Sequence, residues 1–324
     1  MIETQGLARS FKVRGKPAVE AVRGIDVSVD DGELVGFLGP NGAGKTTSMR
    51  MLTTLLAPTS GSATVVGHDL IDEQAKVRRS IGYVQQGTST ERLLSVREEL
   101  VDQAEMYGIS RAEGRSRAQE LMRQLDLTGL AERRVQTLSG GQRRRLETAL
   151  GLVHAPPLLF LDEPTTGLDP QSRANMWEHV RGLRERLGTT MFLTTHYLDE
   201  ADALCDRILI IDHGTVIAEG TPDQLKRSLG GDQLTVDVEG EPADAARAVE
   251  AVVTAREVVT SGSVLRLTVE HGDRAIADVI RALDAASIGL RSIGLARPSL
   301  DDVFLTLTGR SLREEGETES ATAA

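Results

Sequence analysis

The chain has 324 residues, 40% of them hydrophobic and 26% charged, and 37 basic against 48 acidic side chains give it a net charge of −11. Single cores stop growing near roughly 250 to 300 residues, so this length predicts two domains rather than one. The acidic balance repels phosphate backbones and anionic headgroups over most of the surface, which excludes non-specific nucleic-acid binding as the main task.

The lone cysteine, Cys205, excludes an internal disulfide; in an apolar helical stretch it reads as a small core residue of a reducing compartment. The opening MIETQGLARSF lacks the apolar segment of a signal peptide, and no run approaches the ~18 consecutive apolar residues of a membrane span. A cytoplasmic chain is expected, one that works at a membrane only if another protein holds it there.

From residue 1 to about residue 230, short apolar runs alternate with amphipathic stretches, the pattern of an α/β domain with a largely parallel sheet. Candidate strands are residues 33–38, 80–84, 158–161, 190–194 and 207–211. The first runs into GPNGAGKTT, Gly39 to Thr47, which matches the phosphate-loop pattern between a strand and a helix. Glycines let the backbone wrap a phosphate, and the amides of the helix start point at the anion. Only five lysines occur in the chain, and one of them, Lys45, sits in this loop as a point charge for β- and γ-phosphates; Thr46 offers a hydroxyl to Mg²⁺.

Residues 91–134 carry helical periodicity without a strand signal and read as an inserted helical subdomain, about 91–150. Within it LSGGQRRRLE, residues 138–147, looks like a loop that ends by starting a helix. Its exposed amides could hold an anion, cap an ordinary helix, or present Arg143 to Arg145 to a nucleic acid; a solvated or partner-facing surface is the plainer reading of the arginines. The run LLFLDEP then delivers Asp162 and Glu163 at a strand end. Adjacent carboxylates there are costly unless a cation or a proton transfer occupies them, and a nucleotide site supplies both. Asp162 would hold Mg²⁺, directly or through water, and Glu163 would polarise the attacking water. The strand ends after Leu38, Leu161 and Thr194 are expected to share one carboxyl edge, where open α/β folds bind ligands. No His/Cys cluster has metal-ligand spacing, so Mg²⁺ with the nucleotide is the only metal expected.

After the Gly230–Gly231 pair the order reads β-α-β-β-α-β, a small ferredoxin-like α+β domain over residues 231–310. A final helix opens at Ser299 with Asp302 three residues on and aligns Leu300, Val303, Phe304 and Leu307 on one stripe. The tail, residues 311–324, is polar, acidic and free of aromatics, a composition that predicts disorder.

The phosphate loop, LSGGQ and the Asp-Glu strand end, in this order, resemble the nucleotide-binding domain of ATP-binding cassette (ABC) proteins, a P-loop NTPase fold, over roughly residues 1–225. The resemblance implies ATP with Mg²⁺, bound by Gly39, Pro40, Asn41, Gly42, Ala43, Gly44, Lys45, Thr46 and Thr47. It also implies that Ser139, Gly140, Gly141 and Gln142 contact the nucleotide of a second copy, making an ATP-dependent homodimer, with Asp169 of TGLDP in the loop that crosses between the copies. IGYVQQ is similar to the family's I-G-Y-V-P-Q, which makes Gln86 the Q-loop glutamine, catalytic and a Mg²⁺ ligand; Gln85 stands where the family carries proline, so both glutamines remain candidates. His196 would be the switch histidine that senses γ-phosphate. Phe11 is placed on the adenine ring or, on the residue alone, in the core.

The closing RPSLDDVFLTLTGR and the wording RRSIGYV and QRRRLE resemble the daunorubicin-resistance-type (DrrA-like) exporter ATPases. That implies a separate ABC-2-type membrane permease, held at the cytoplasmic face of the membrane and docked near Gln86 and residues 91–107, with export of a hydrophobic drug or antibiotic. An importer ATPase with a regulatory C-terminal domain is the alternative. Soluble cassettes acting on nucleic acid or ribosomes carry coiled coils, zinc modules or two cassettes, none of which this sequence shows.

Overall fold

The structure, a computed structural model, describes residues 1–12, 15, 17–86, 93–239 and 241–310; the expected disordered tail lies outside the described residues. The chain divides into two compact units, Met1–Glu219 and Gly220–Ala324.

The first unit opens with β1 (Ile2–Phe11), β2 (Val19–Ile25) and β3 (Ser28–Val29), followed by β4 (Leu34–Leu38), α1 (Lys45–Leu52), β5 (Ser60–Val65), β6 (His68–Asp69), α2 (Gln74–Ser80) and β7 (Ile81–Val84). Helices α3 (Val96–Met106), α4 (Arg111–Gln124) and α5 (Gly140–Leu152) come next. Then follow β8 (Leu158–Asp162), α6 (Pro170–Leu187), β9 (Thr190–Thr195), α7 (Leu198–Leu204), β10 (Arg207–Asp212) and β11 (Thr215–Gly220).

Parallel ladders join β10, β4, β9, β8 and β7, which stand side by side in a six-stranded sheet with β11 at one edge. All residues of β4, β8 and β9 are buried, as expected for strands covered on both faces. Because these three are neighbours pointing the same way, Leu38, Asp162 and Thr195 end on one edge. Phe37, Phe160 and Phe192, one from each strand, hold that register: their ring centroids lie 5.6 and 5.7 Å apart. Burying each ring is worth about 1.5–3 kcal/mol.

A second, antiparallel sheet of β1, β2, β3, β5 and β6 was not separated by the sequence pattern. Its strands alternate imperfectly: β1 has register shifts at Leu7/Ala8 and Arg9/Ser10, which break the period-two signal. Ile2, Leu7, Val22 and Val65 from this sheet share one core with Phe37, Phe160, Leu209 and Met49. The helical insert is present as α3 to α5, and α3 begins with a reciprocal Ser95/Glu98 capping box.

The second unit contains α8 (Pro222–Arg227), β12 (Asp232–Val238), α9 (Pro242–Glu250), β13 (Ala255–Ser261), β14 (Val264–Val269), α10 (Gly272–Ala285), β15 (Leu290–Ala296) and α11 (Leu300–Thr308). Its antiparallel sheet runs β13-β14-β12-β15, so α9 and α10 each connect strands that are not neighbours. Alternate residues Leu234, Val236 and Val238 face a core completed by Ala245, Val249, Val279 and Leu283. The unit begins ahead of Gly230 because α8 belongs with it, packing against α11.

Helix α11 starts with the expected Ser299/Asp302 capping box. Leu300, Val303 and Phe304 are buried within this chain, while Leu307 on the same stripe is 46% exposed. Phe304→Ala is expected to destabilise the protein by about 3–5 kcal/mol, and Leu307→Ala by less than about 0.5 kcal/mol, in urea or calorimetric unfolding. Equal costs would mean that both side chains pack.

Candidate active site

The loop between β4 and α1 folds as the glycine pattern dictates. Gly44 sits at φ +110°, and a Cβ there would lie 2.6 Å from the Ala21 carbonyl oxygen; one on Gly39 would lie 2.2 Å from that of Ile211. Only glycine fits either place. The Lys45 ammonium folds back over the loop and donates to the carbonyls of Gly39 (2.7 Å) and Pro40 (3.0 Å). Ala43 is buried behind the loop, while Asn41, Gly42, Gly44, Lys45, Thr46 and Thr47 line a cleft of about 360 Å³ with Ala21, Gln86 and Glu163.

Strands β8 and β9 bring the acidic pair and the histidine to the same edge. Asp162, 1% exposed, accepts from Thr194 Oγ1 at 2.7 Å, and its carboxylate lies 3.4 Å from both the Thr46 and the Tyr83 hydroxyls. Glu163 is 7% exposed and touched from four directions. Lys45 Nζ and His196 Nδ1 each lie 3.5 Å from Oε1, while Gln86 Nε2 (2.9 Å) and Thr166 Oγ1 (3.1 Å) donate to Oε2. Burial pushes this carboxyl up, but His196, Lys45 and Thr166 together outweigh it and bring the pKa down to about 2. Burial, with the Asp162 charge, drives the Tyr83 phenol up to about 12, so it stays a donor. Of the two adjacent glutamines, Gln86 is the one that reaches Glu163; the Gln85 carbonyl faces Arg144 instead.

Glu163 also has φ +47°, a left-handed backbone that costs a non-glycine residue of order 1–3 kcal/mol. Its amide donates to the Thr194 carbonyl (3.2 Å) and lies 3.1 Å from the Thr194 hydroxyl.

Other predicted residues stand apart from this cleft. Phe11, 36% exposed at the end of β1, has the Arg9 guanidinium 4.8 Å from its ring centre and is not among the lining residues; nor is it in the core. Ser139 caps α5 and forms a reciprocal box with Gln142 (3.3 and 3.0 Å), leaving the Gly140 and Gly141 amides at a helix start. Asp169 caps α6 by accepting from the Ser172 amide at 2.9 Å.

The arginine run is not one solvated face. Arg144 is 7% exposed and paired with Glu147 at 3.0 Å, and Arg145 donates to the Leu125 and Asp126 carbonyls. Three arginines in sequence point in three directions around a helix, which a composition argument cannot see. Thr166, Thr194 and Tyr83 also went unread, because a hydroxyl beside a carboxylate leaves no spacing signature. So did Glu200 on α7, fully buried, which accepts from Thr165 Oγ1 (2.9 Å) and Trp177 Nε1 (3.1 Å) behind the Glu163 turn.

Thr46 and Asp162 offer two hard oxygen donors, too few for an all-protein cage but suited to a Mg²⁺ that keeps waters and phosphate oxygens. Because the Glu163 pKa is depressed, its contribution to stability is complete above the unfolded glutamate pKa and is lost as pH falls through about 2. His196→Ala should raise the Glu163 midpoint toward the ordinary glutamate value in carboxyl ¹³C NMR titration. An unmoved midpoint would show that the histidine does not hold the carboxylate.

Residues 22–166 match the ABC transporter family, and residues 220–308 match the C-terminal domain of DrrA1-3-like ATP-binding proteins. The chain is 44% identical to the daunorubicin/doxorubicin resistance ATP-binding protein DrrA of Streptomyces peucetius, over 99% of this chain and 96% of that protein. It is 37% identical to the linearmycin resistance ATP-binding protein LnrL of Bacillus subtilis, over 97% and 100%. Among solved structures, a dimeric ATP-binding cassette in a post-hydrolysis state with ADP and Pi aligns at a TM-score of 0.62 and 28% identity, covering 68% of this chain and 98% of that one. The phosphate loop, the acidic strand end and the matched C-terminal unit thus belong to one lineage: this chain is a member of the DrrA-type ABC transporter ATPases, and it binds and hydrolyses ATP.

Proposed function

We propose that the chain is the motor subunit of an exporter: it dimerises on ATP and drives a separate ABC-2-type permease that moves a hydrophobic drug or antibiotic out of the cell. The observation that carries this reading is the convergence of Lys45, Gln86, Asp162, Glu163 and His196 on one cleft, while Ser139–Gln142 open a different helix start in the same chain. A helix N-terminus with two glycines suits a phosphate, and with its own cleft elsewhere it serves a second copy. Asp169 then lies at the crossing between copies, and Phe11 reaches the adenine ring.

In this reading Lys45 and His196, each 3.5 Å from Glu163, turn to the β- and γ-phosphates when ATP binds, and without the Lys45 charge beside it the carboxylate becomes more basic. Glu163 then takes a proton from water as the water oxygen bonds to the γ-phosphorus and the bond to the β,γ-bridging oxygen breaks. Thr46, Asp162 and Gln86 would hold Mg²⁺, which supplies neutralisation of phosphate charge.

The permease is inferred from the relatives, two of which are named for drug resistance, and from the match of residues 220–308, which favours export over an importer with a regulatory domain. No helix among the described residues is long and apolar enough to cross a membrane, which fits a peripheral subunit on the cytoplasmic face. Leu93 and Met106, 67% and 81% exposed, lie within residues 91–107, where the permease would dock. Residues 1–230 would do the ATP chemistry, and the ferredoxin-like domain, 231–310, would serve assembly.

Lys45→Ala should cut turnover by about 10²–10³-fold with the fold intact by circular dichroism. Glu163→Gln should slow hydrolysis by about 10²–10⁴-fold. It should also accumulate as a dimer in ATP but not in ADP, as read by light scattering. A Glu163→Gln protein that stays monomeric in ATP would falsify the dimer reading.

A further inference from the structure

We propose that Arg144 is a positioning residue for ATP hydrolysis: it clamps the left-handed backbone from which Glu163 projects, and it does so from the helix that begins at Ser139. The inference rests on the reading of Glu163 as the base. A non-glycine residue stays at φ +47° only where its surroundings leave it no alternative. Arg144 supplies that enclosure. Its Nε donates to the Pro164 carbonyl at 2.8 Å, and its Nη2 to those of Asp162 at 2.8 Å and Glu163 at 3.2 Å. Three successive carbonyls, spanning the strained residue, are thereby held by one rigid plane.

The other arm of the guanidinium reaches the second segment that touches the base. Nη1 donates to the Gln85 carbonyl at 2.7 Å and to Glu147 Oε2 at 3.0 Å. Gln86, the next residue, is the one that donates to Glu163 Oε2. The backbone beneath the carboxylate and the segment whose side chain engages it are thus fixed by the same group. Glu147, one turn along α5, keeps the buried charge paired. Arg144 is not among the residues that line the cleft, so it acts through Glu163, whose backbone it holds and whose Gln86 partner it steadies.

Geometry explains why arginine stands there. Its fork carries five N–H donors in a plane, and here it makes five hydrogen bonds. A lysine ammonium has three donors on one atom and cannot reproduce these five hydrogen bonds. Because α5 also begins at Ser139 and Gly140, the clamp joins the helix start offered to a second copy and the base that serves this chain's own ATP into one body.

The test compares Arg144→Lys with the pair Arg144→Leu plus Glu147→Leu in the full chain; the pair removes both charges, so no buried carboxylate is stranded. kcat, KM, ADP affinity and the thermal midpoint are measured, and single-turnover hydrolysis is repeated in a Glu163→Gln background. The expected result is a kcat loss of about 10²-fold, the usual effect of misplacing a reacting group by an ångström, with KM and ADP affinity little changed. In the Glu163→Gln background Arg144→Lys should cause no further loss, because the residue it acts through is already gone. If Arg144→Lys does not fold, the charge-free pair carries the same comparison. Near-normal kcat in an Arg144 variant, alongside an inactive Glu163→Gln, would overturn the clamp and leave the base reading intact. A full additive loss in the Glu163→Gln background would likewise overturn it. Normal turnover by Glu163→Gln itself would remove the base reading, and the clamp with it.

Discussion

A carboxylate that is only 7% exposed cannot stay ionised without compensation, and the edge of the parallel sheet is arranged around supplying it to Glu163. Each compensating group comes from a different element: Lys45 from the start of α1, Gln86 from beyond β7, Thr166 from the turn after β8, and His196 from beyond β9. None of these partners is optional in electrostatic terms. His196, Lys45 and Thr166 outweigh burial and hold the pKa at about 2, so a phosphate competing for the same ammonium and imidazole would change the chemistry of the site rather than merely fill it.

The backbone obeys a matching constraint. A left-handed glutamate at the end of a fully buried strand turns the side chain toward the phosphate loop, and it needs anchors on both flanks. Thr194 holds the amide side and Arg144 the carbonyl side, while Glu200 grips Thr165 two residues on. Several of these anchors are buried polar groups, which are costly unless satisfied, so the region behind the cleft is polar but closed.

The second unit follows simpler physics. Its sheet is amphipathic, its helices cover one face, and the alternation of Leu234, Val236 and Val238 is what a half-covered antiparallel sheet requires. Titratable side chains gather there around a cavity lined by Asp232, His271, Asp273 and Arg297, but among the described residues none of them is buried as Glu163 is.

By itself the sequence determined the phosphate loop, the five central strands, the helical insert, the β-α-β-β-α-β order and the acidic strand end. Each is written within a few contiguous residues, where local backbone sterics and hydrophobic period decide the outcome. Tertiary structure alone decided which of Gln85 and Gln86 faces Glu163, that Phe11 lies away from the cleft lining, that Leu307 faces solvent, and that Arg144 is buried while its neighbours point elsewhere. The Arg144 contacts to backbone carbonyls join residues 18 to 59 positions apart, brought together by the strand order β4-β9-β8-β7. A sequence pattern has no term for such a distance, because the energy of those contacts exists only once the strands that carry them are side by side.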